Sequence, residues 1–325
     1  AQEIAYLLQY PGFLKRDTFA KGRMEIVELR IDKTSKLCNV ALSDMNSIVN
    51  CRVLVCAVLR SGTAIAPKGN FILREGDRIF VTASPHNLTN MLRSLGIITR
   101  RVRNVMLCGG GRVSYYLADM LNRHGISVKL MEKNETRCRE LSALLPEVTV
   151  ILGDGTDHAV LDSEGLAKTD ALVSLTGMDE LNMIMSLYGQ SQGVPQVITK
   201  LGRMENHTII DALALGSVVC PKELCCNNIV RYVRAMQNQT GAAVSVHRIA
   251  HGQVEAVEFL VDDTTLHCNT LLKDIRLKDN VLVVSITHGP KTEIPGGDAS
   301  FDVGDTIVVV TSGQGTLRQL NDIFA

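Results

Sequence analysis

The chain repeats itself. Val53, Leu54 and Val55 return as Val281, Leu282 and Val283, Pro67 as Pro295, Gly69 as Gly297 and Gly76-Asp77 as Gly304-Asp305, each pair 228 residues apart. Ile79 and Ile307, Val81 and Val309, and Leu92 and Leu320 keep the same spacing. Further upstream GRMEIVELRI (22–31) pairs with GQVEAVEFLV (252–261) at a spacing of 230, a slip of two residues in the intervening loop. Chance similarity does not hold register over so many turn and strand positions, so residues 13–98 and 239–325 are read as two copies of one module. Whatever lies between them is then a unit of its own.

Each copy is β-rich. MEIVELRI (24–31) alternates apolar and polar residues, the mark of a half-buried strand, and VLVCAVL (53–59) reads as a buried one. Ser61-Gly62 and Gly76-Asp77 are turns, the second leading into the strand RIFVTA. Residues 86–95 have helical periodicity through Leu88, Met91, Leu92 and Leu95, closed by Gly96. Ahead of the first copy, residues 1–10 place Ile4, Leu7 and Leu8 on one helical face, ended by Tyr10-Pro11-Gly12. A second helix, started by Pro221 and carried to about residue 236, precedes the second copy.

Between the copies, residues 103–132 read RNVMLCGGGRVSYYLADMLNRHGISVKLME. An apolar run (105–108) meets Gly109, Gly110 and Gly111. A helical pattern follows through Tyr115, Leu117, Ala118 and Leu121, then a second apolar run (128–131) and Glu132. Strand, tight turn, helix, strand and acid form the first βαβ unit of a dinucleotide-binding fold. Glycine is needed where backbone approaches a pyrophosphate, and free N–H groups at the helix start receive its charge. Glu132 can accept hydrogen bonds from ribose hydroxyls and would repel a 2′-phosphate, favouring NAD-type over NADP-type ligands. The pattern Gly109-x-Gly111-x-x-Ser114 carries serine where a third glycine usually allows close helix–strand packing.

The alternation continues through a helix at 135–145, strands at 148–153 and 171–177, a helix capped by Asp179 and running to Leu187, and a strand at 196–201. A helix at 207–215 and a short strand at 217–220 complete it. Strands alternating with helices predict a parallel, doubly wound sheet. The expected architecture is α/β: a Rossmann-like doubly wound parallel sheet flanked by two small duplicated α+β domains.

Composition excludes several function classes. The 325 residues carry no formal net charge and only 4% aromatics, leaving neither a basic field nor stacking platforms for nucleic acid. No apolar run approaches the roughly 18 residues that would span a bilayer, and AQEIAYLLQYPG lacks the basic and apolar regions of a signal peptide. Nine cysteines, scattered through apolar runs as at Cys56 and Cys108, read as reduced and buried thiols. Cys220, Cys225 and Cys226 lie near His207, but no C-x-x-C spacing is present, and packing is the better reading than a metal site. There is no G-x-S-x-G elbow, H-E-x-x-H motif or P-loop, and the histidines, His124 and His158 among them, are dispersed. A catalytic constellation is not normally carried in two divergent copies, so no catalytic residue and no metal are expected.

The order helix, β-rich module, Rossmann unit, crossover helix, second module resembles the cytoplasmic regulators of potassium conductance, the RCK or KTN/TrkA family. The residues bearing the likeness are VMLCGGGRVSYYLA (105–118), LMEKNETRC (130–138), GDGTD (153–157), SLTGMDELNM (174–183) and the paired endings ILREGDRIFV and SFDVGDTIVV. The resemblance covers essentially the whole chain. The resemblance implies a Rossmann NAD-binding (RCK N-terminal) domain at 102–220, a crossover helix at 221–238 and RCK C-terminal (TrkA_C) domains at 13–98 and 239–325. It implies NAD(H), or ATP or ADP, held by Gly109, Gly111, Arg112, Val113, Glu132, Lys133, Gly153, Asp154, Thr156, Thr176 and Lys200. In that scheme Arg112 pairs with the pyrophosphate, Glu132 takes the ribose, Asp154 and Thr156 border the adenine edge, and Thr176 lies along the crevice. Lys200 faces the phosphates or a neighbouring subunit.

The function so implied is a non-enzymatic regulatory subunit that gates potassium uptake through nucleotide binding. It would act as a homo-oligomer on a membrane-embedded, TrkH-like potassium-translocating subunit, in the cytoplasm at the inner face of the cell membrane. A nicotinamide-dependent oxidoreductase is the alternative. Duplication of a whole unit further predicts that residues 1–12 are a crossover helix left from an upstream Rossmann domain. Ile4, Leu7 and Leu8 would then have no sheet of their own, and the helix would dock on a symmetry mate, pack back on the module or fray.

Overall fold

The computed structural model describes residues 1–10, 12–97, 101–203, 210, 213, 215–236, 243–312 and 317–325. Its contacts fall into two compact units, Ala1–Lys15 with Ile98–Glu223, and Arg16–Ile97 with Leu224–Ala325. Among the described residues no helix is long and apolar enough to cross a membrane.

The first unit is built on a six-stranded parallel sheet. Its strands are β6 (Asn104–Cys108), β7 (Ser127–Glu132), β8 (Thr149–Leu152), β9 (Ala171–Ser174), β10 (Gln196–Lys200) and β11 (Ser217–Val219), in the spatial order β11-β10-β9-β6-β7-β8. The connecting helices are α4 (Arg112–Arg123), α5 (Glu135–Leu144), α6 (His158–Ser163) and α7 (Asp179–Ser191). β6 from Val105 to Cys108 and all of β9 are buried and largely apolar, as central strands covered on both faces must be. Met106, Cys108, Leu172, Met185 and Val197 pack together as part of the core on one side. The parallel Rossmann-like sheet expected from the alternation is therefore present. The helix expected at 207–215 falls largely outside the described residues. Asp179 does not cap α7. It is the first residue of the helix, and its carboxylate accepts the backbone N–H of Gly202 (2.8 Å) and Arg203 (3.2 Å) beyond β10.

The N-terminal helix α1 (Gln2–Gln9) corrects another expectation. Ile4, Leu7 and Leu8 are buried, and the helix packs on α4 and on the sheet edge at β11. Gln196 Nε2 donates to the Leu7 carbonyl (2.5 Å), Ser217 Oγ to the Phe13 carbonyl (2.8 Å), and Lys15 pairs with Glu223 (2.7 Å). The helix is formed and its apolar face is covered within the first unit. It covers the outer edge of the sheet that follows in the chain.

In the second unit the two copies match strand for strand. β1 (Lys15–Phe19), β2 (Met24–Arg30), β3 (Leu54–Arg60), β4 (Thr63–Ile65) and β5 (Arg78–Ala83) form the sheet β1-β2-β5-β3-β4. β12 (Ala243–Ile249), β13 (Val254–Leu260), β14 (Val281–His288), β15 (Lys291–Glu293) and β16 (Thr306–Ser312) form the sheet β12-β13-β16-β14-β15. The bulge between Val55 and Ala57 recurs between Val283 and Ser285. A kink with positive φ at Lys21 (56°) recurs at His251 (57°).

The repeated Gly-Asp has a structural cause. Asp77 accepts the backbone N–H of Arg74 and Asp305 that of Asp302, both at 2.7 Å, closing the same turn. The copies diverge in their helices. α2 (Leu42–Val49) stands where the second copy has a 3₁₀ turn, Leu272–Asp274, and α3 (Pro85–Leu95) corresponds to the 3₁₀ turn Leu320–Ile323. A further helix, α8 (Pro221–Met236), leads into the second copy.

Candidate functional site

From β6 the chain winds one way through β7 and β8, then crosses back to β9 and winds the other way through β10 and β11. The gap between β6 and β9 at the carboxyl ends of the strands is a topological switch point, where loops diverge and leave a crevice. A cleft of about 670 Å³ opens there, in the first unit.

The glycine turn forms its floor. Gly109 has φ of 106°, and a Cβ there would lie 3.0 Å from backbone atoms of Leu175 and Thr176. The turn thus presses against the end of β9. Gly110 donates its N–H to Glu132 Oε2 (2.6 Å), and its carbonyl accepts from Arg137 Nε (2.8 Å). Gly111 is the N-cap of α4 with no side chain capping the helix, and a Cβ there would meet open space. Ser114 fits where a third glycine was expected, because it is fully buried and its hydroxyl donates to the Gly109 carbonyl. The result is an open helix start whose dipole and N–H groups favour an anion.

Glu132 closes β7. One carboxylate oxygen takes Gly110 N–H and the other Asn134 N–H (2.8 Å), leaving lone pairs for further donors. Beyond β8, Asp154 forms a tight turn in which its carboxylate accepts the backbone N–H (2.9 Å) and hydroxyl (2.8 Å) of Thr156. Those two bonds, then the charge of Lys133, hold its carboxyl below the usual range against the opposing effect of burial. Beneath it, burial followed by the charge of Asp154 pushes the Cys108 thiol up to about 12, so this cysteine is inert packing.

The opposite lip is organised by Asn182 on α7. Its fully buried amide accepts from the Thr176 N–H (2.9 Å) and hydroxyl (2.7 Å), and donates to the carbonyls of Thr176 (3.1 Å) and Lys200 (3.0 Å). It therefore ties the end of β9 to the end of β10. Lys200 extends its ammonium to within 3.5 Å of the Leu175 carbonyl, at the mouth of the cleft.

The cleft is lined by Gly109, Gly111, Glu132, Lys133, Gly153, Asp154, Thr156, Thr176 and Lys200, from five separate segments of chain. Arg112 and Val113 are not among its lining residues. Arg112 is exposed on the first turn of α4 and Val113 half-buried there. Sequence reasoning placed Gly110 in the turn but not among the site residues, and it missed Arg137 and Asn182. The spacing from Glu132 to Arg137 was visible, but an arginine on an amphipathic helix reads as solvated surface. Among the described residues no group of three or more His, Cys, Asp or Glu is placed to hold a metal. Cys220 is buried, whereas Cys225 and Cys226 are exposed, against the expectation of buried thiols throughout, and His207 lies outside the described residues.

Comparison with known proteins gives the same layout. The family model of the TrkA-N domain matches residues 105–221, and that of the TrkA-C domain matches twice, over 26–96 and 256–325. The chain is 29% identical over 325 residues to the Trk system potassium uptake protein TrkA homolog of Archaeoglobus fulgidus, covering 100% of this chain and 71% of the relative. It is 25% identical over 328 residues to the Trk system potassium uptake protein TrkA of Haemophilus influenzae, covering 99% and 70%. Among solved structures, the GsuK RCK domain aligns at a TM-score of 0.50 and 14% identity, over 95% of this chain and 66% of the other. A GsuK channel bound to NAD aligns at 0.50 and 15%, over 95% and 56%. The chain thus spans about 70% of these two relatives and less than two thirds of these two structures, and at such identities the structural likeness is one of fold. With a TrkA-N domain set between two TrkA-C domains, this chain belongs to the RCK (TrkA) family.

Proposed function

We propose that this chain is a non-catalytic regulatory subunit that binds NAD(H), or an adenine nucleotide, in the Rossmann cleft and thereby biases the gate of a membrane-embedded, TrkH-like potassium transporter. The observation that carries the reading is the convergence on one cleft of the glycine turn, the uncapped start of α4 and Glu132. Pyrophosphate sits over Gly111 and the α4 N-terminus, the ribose diol donates to Glu132, and the adenine lies toward Asp154 and Thr156. Relatives named as potassium uptake proteins, and a channel of similar fold bound to NAD, support this assignment. The titratable lining is Glu132, Lys133, Arg137, Asp154 and Lys200. Both acids already accept backbone N–H groups, an arrangement suited to holding a ligand rather than moving protons. The working location is the inner face of the cell membrane.

A panel of NADH, NAD, ATP and ADP in a thermal-shift assay tests the reading, because a ligand of the folded state raises the melting temperature by mass action. Glu132→Ala should weaken the best ligand by about 1–3 kcal/mol, through loss of charged hydrogen bonds to ribose. Calorimetry giving parent affinity for Glu132→Ala would remove this acid from the site. NADH oxidation coupled to any substrate would replace the regulatory reading with an oxidoreductase. Regulation further requires unequal affinity for two arrangements of the assembly, so the effective nucleotide must also bind one of them more tightly.

The same subunit is proposed to oligomerise through α8. Ile229, Tyr232 and Val233 are 57%, 67% and 47% exposed and share one helical face. The helix ahead of the first copy, α1, buries its own apolar face on a Rossmann sheet edge. The α8 stripe should be covered likewise by a Rossmann domain outside the described chain. Light scattering at micromolar concentration should give a mass above the monomer, and Ile229→Asp with Val233→Asp should return it to the monomer. A monomeric parent would defeat the proposal.

A further inference from the structure

The two β-rich modules pack on each other within the second unit, and their contacts have the form of a two-fold pair. Arg23 and Gln253 are equivalent positions in the copies, 230 residues apart. Arg23 Nη1 donates to the Gly289 carbonyl (2.5 Å) in the second copy's hairpin, and Gln253 Nε2 to the Gly62 carbonyl (2.6 Å) in the first copy's hairpin. In such an isologous interface a residue near the axis meets its own equivalent. Asp17 and His247 are also equivalents, 230 apart, and they meet each other: Asp17 Oδ1 and His247 Nδ1 are 2.7 Å apart, with side chains only 8% and 4% exposed. The axis position has therefore diverged into an acid in one copy and a base in the other. Beside it, Arg78 of the first copy, ion-paired with Glu28, lies 3.1 Å from His251 of the second. The equivalent of His251 is Lys21.

Consider the pairings this surface has to refuse. The first module against another first module would set Asp17 on Asp17, two carboxylates too close for both to ionise in a buried site. It would also set Arg78 against Lys21, a like-charge pair. The second module against another second module would set His247 on His247, which cannot both be cations. Pairing the first with the second matches donor to acceptor, and Phe19 packs over the His247 ring at 4.6 Å between centroids. Discrimination by repulsion in the unwanted pairings is a recognised route to specificity. We infer that Asp17 and His247, with Arg78 opposite His251, direct the first module onto the second and reject pairing of either with its own copy.

Charge exchange in the full chain tests this. Asp17→His and His247→Asp should each lower the melting temperature by about 10 °C, the effect of breaking a buried pair, and the double exchange should recover most of it. When the two single variants carry different tags and are co-expressed, acid and base meet only between chains. Mixed complexes should then exceed the statistical half of all complexes in native mass spectrometry. If the single variants are insoluble alone, solubility on co-expression is the same result. Parent-like melting of the singles, a double exchange no better than the singles, statistical mixing, or insolubility even together would each overturn the inference.

Discussion

Replacing Gly109 with alanine should abolish nucleotide binding and cost about 2–4 kcal/mol of stability, since the strain of positive φ adds to a steric clash. At φ of 106° a side chain is strained whatever the space around it. The new Cβ would also sit 3.0 Å from Leu175 C and from Thr176 N and Cα, backbone atoms with little freedom to retreat. Gly111→Ala separates binding from folding. Its φ is −71° and its Cβ would point into open space, so stability should stay within about 1 kcal/mol of the parent. That space belongs to the cleft, and phosphate could no longer reach the helix start, so affinity should fall by about tenfold or more, the equivalent of losing one or two good hydrogen bonds. Denaturant unfolding and calorimetry on both variants read the two effects independently. Parent-like binding by Gly109→Ala would mean that the ligand does not approach this turn.

Asn182→Ala should be the more destabilising change at the other lip, by about 3–5 kcal/mol, because several buried backbone groups would lose their partner at once. The amide serves the N–H, carbonyl and hydroxyl of Thr176 and the carbonyl of Lys200, and it is fully buried. Hydrogen exchange should show the Thr176 amide losing protection ahead of the sheet interior. A loss under about 1 kcal/mol would indicate that water satisfies these groups in the variant.

The sequence disclosed most where one segment carries its own signal. The strand from 105, its glycines, the helix after them and Glu132 are adjacent in the chain, so periodicity and turn chemistry sufficed to read them. The repeat was legible because bulges, kinks and Gly-Asp turns constrain particular residues in both copies. What stayed hidden depended on distant segments meeting. Gln196 and Leu7 are 189 residues apart, and nothing local in AQEIAYLLQYPG names the sheet edge that buries it. Asn182 sits in an apolar helical run where its amide gives no sign of bridging two strand ends. Arg112 shows the converse error: adjacency to the glycines places its backbone at the helix start, but its side chain is exposed and does not line the cleft. The strand KRDTF (15–19) was missed because its polar residues are satisfied by partners brought in by the fold, Lys15 by Glu223, Arg16 by Glu25 and Asp17 by His247 of the other copy.

Gly110 is held from both sides, its N–H by Glu132 and its carbonyl by Arg137, while Ser114 holds the carbonyl of Gly109. The turn proposed to cradle phosphate is therefore held in place by the protein's own hydrogen bonds before any ligand arrives. Preorganisation raises affinity because little ordering remains to be done on binding, but it also makes the cradle a poor messenger. A group that does not change shape cannot tell the rest of the molecule that it is filled. Small phosphate fragments and complete dinucleotides should then occupy the same cradle with very different consequences. Under the proposed function, any difference in signal would then come from the part of the ligand that crosses to Thr176, Met178 and Lys200, which line the far side of the same cleft.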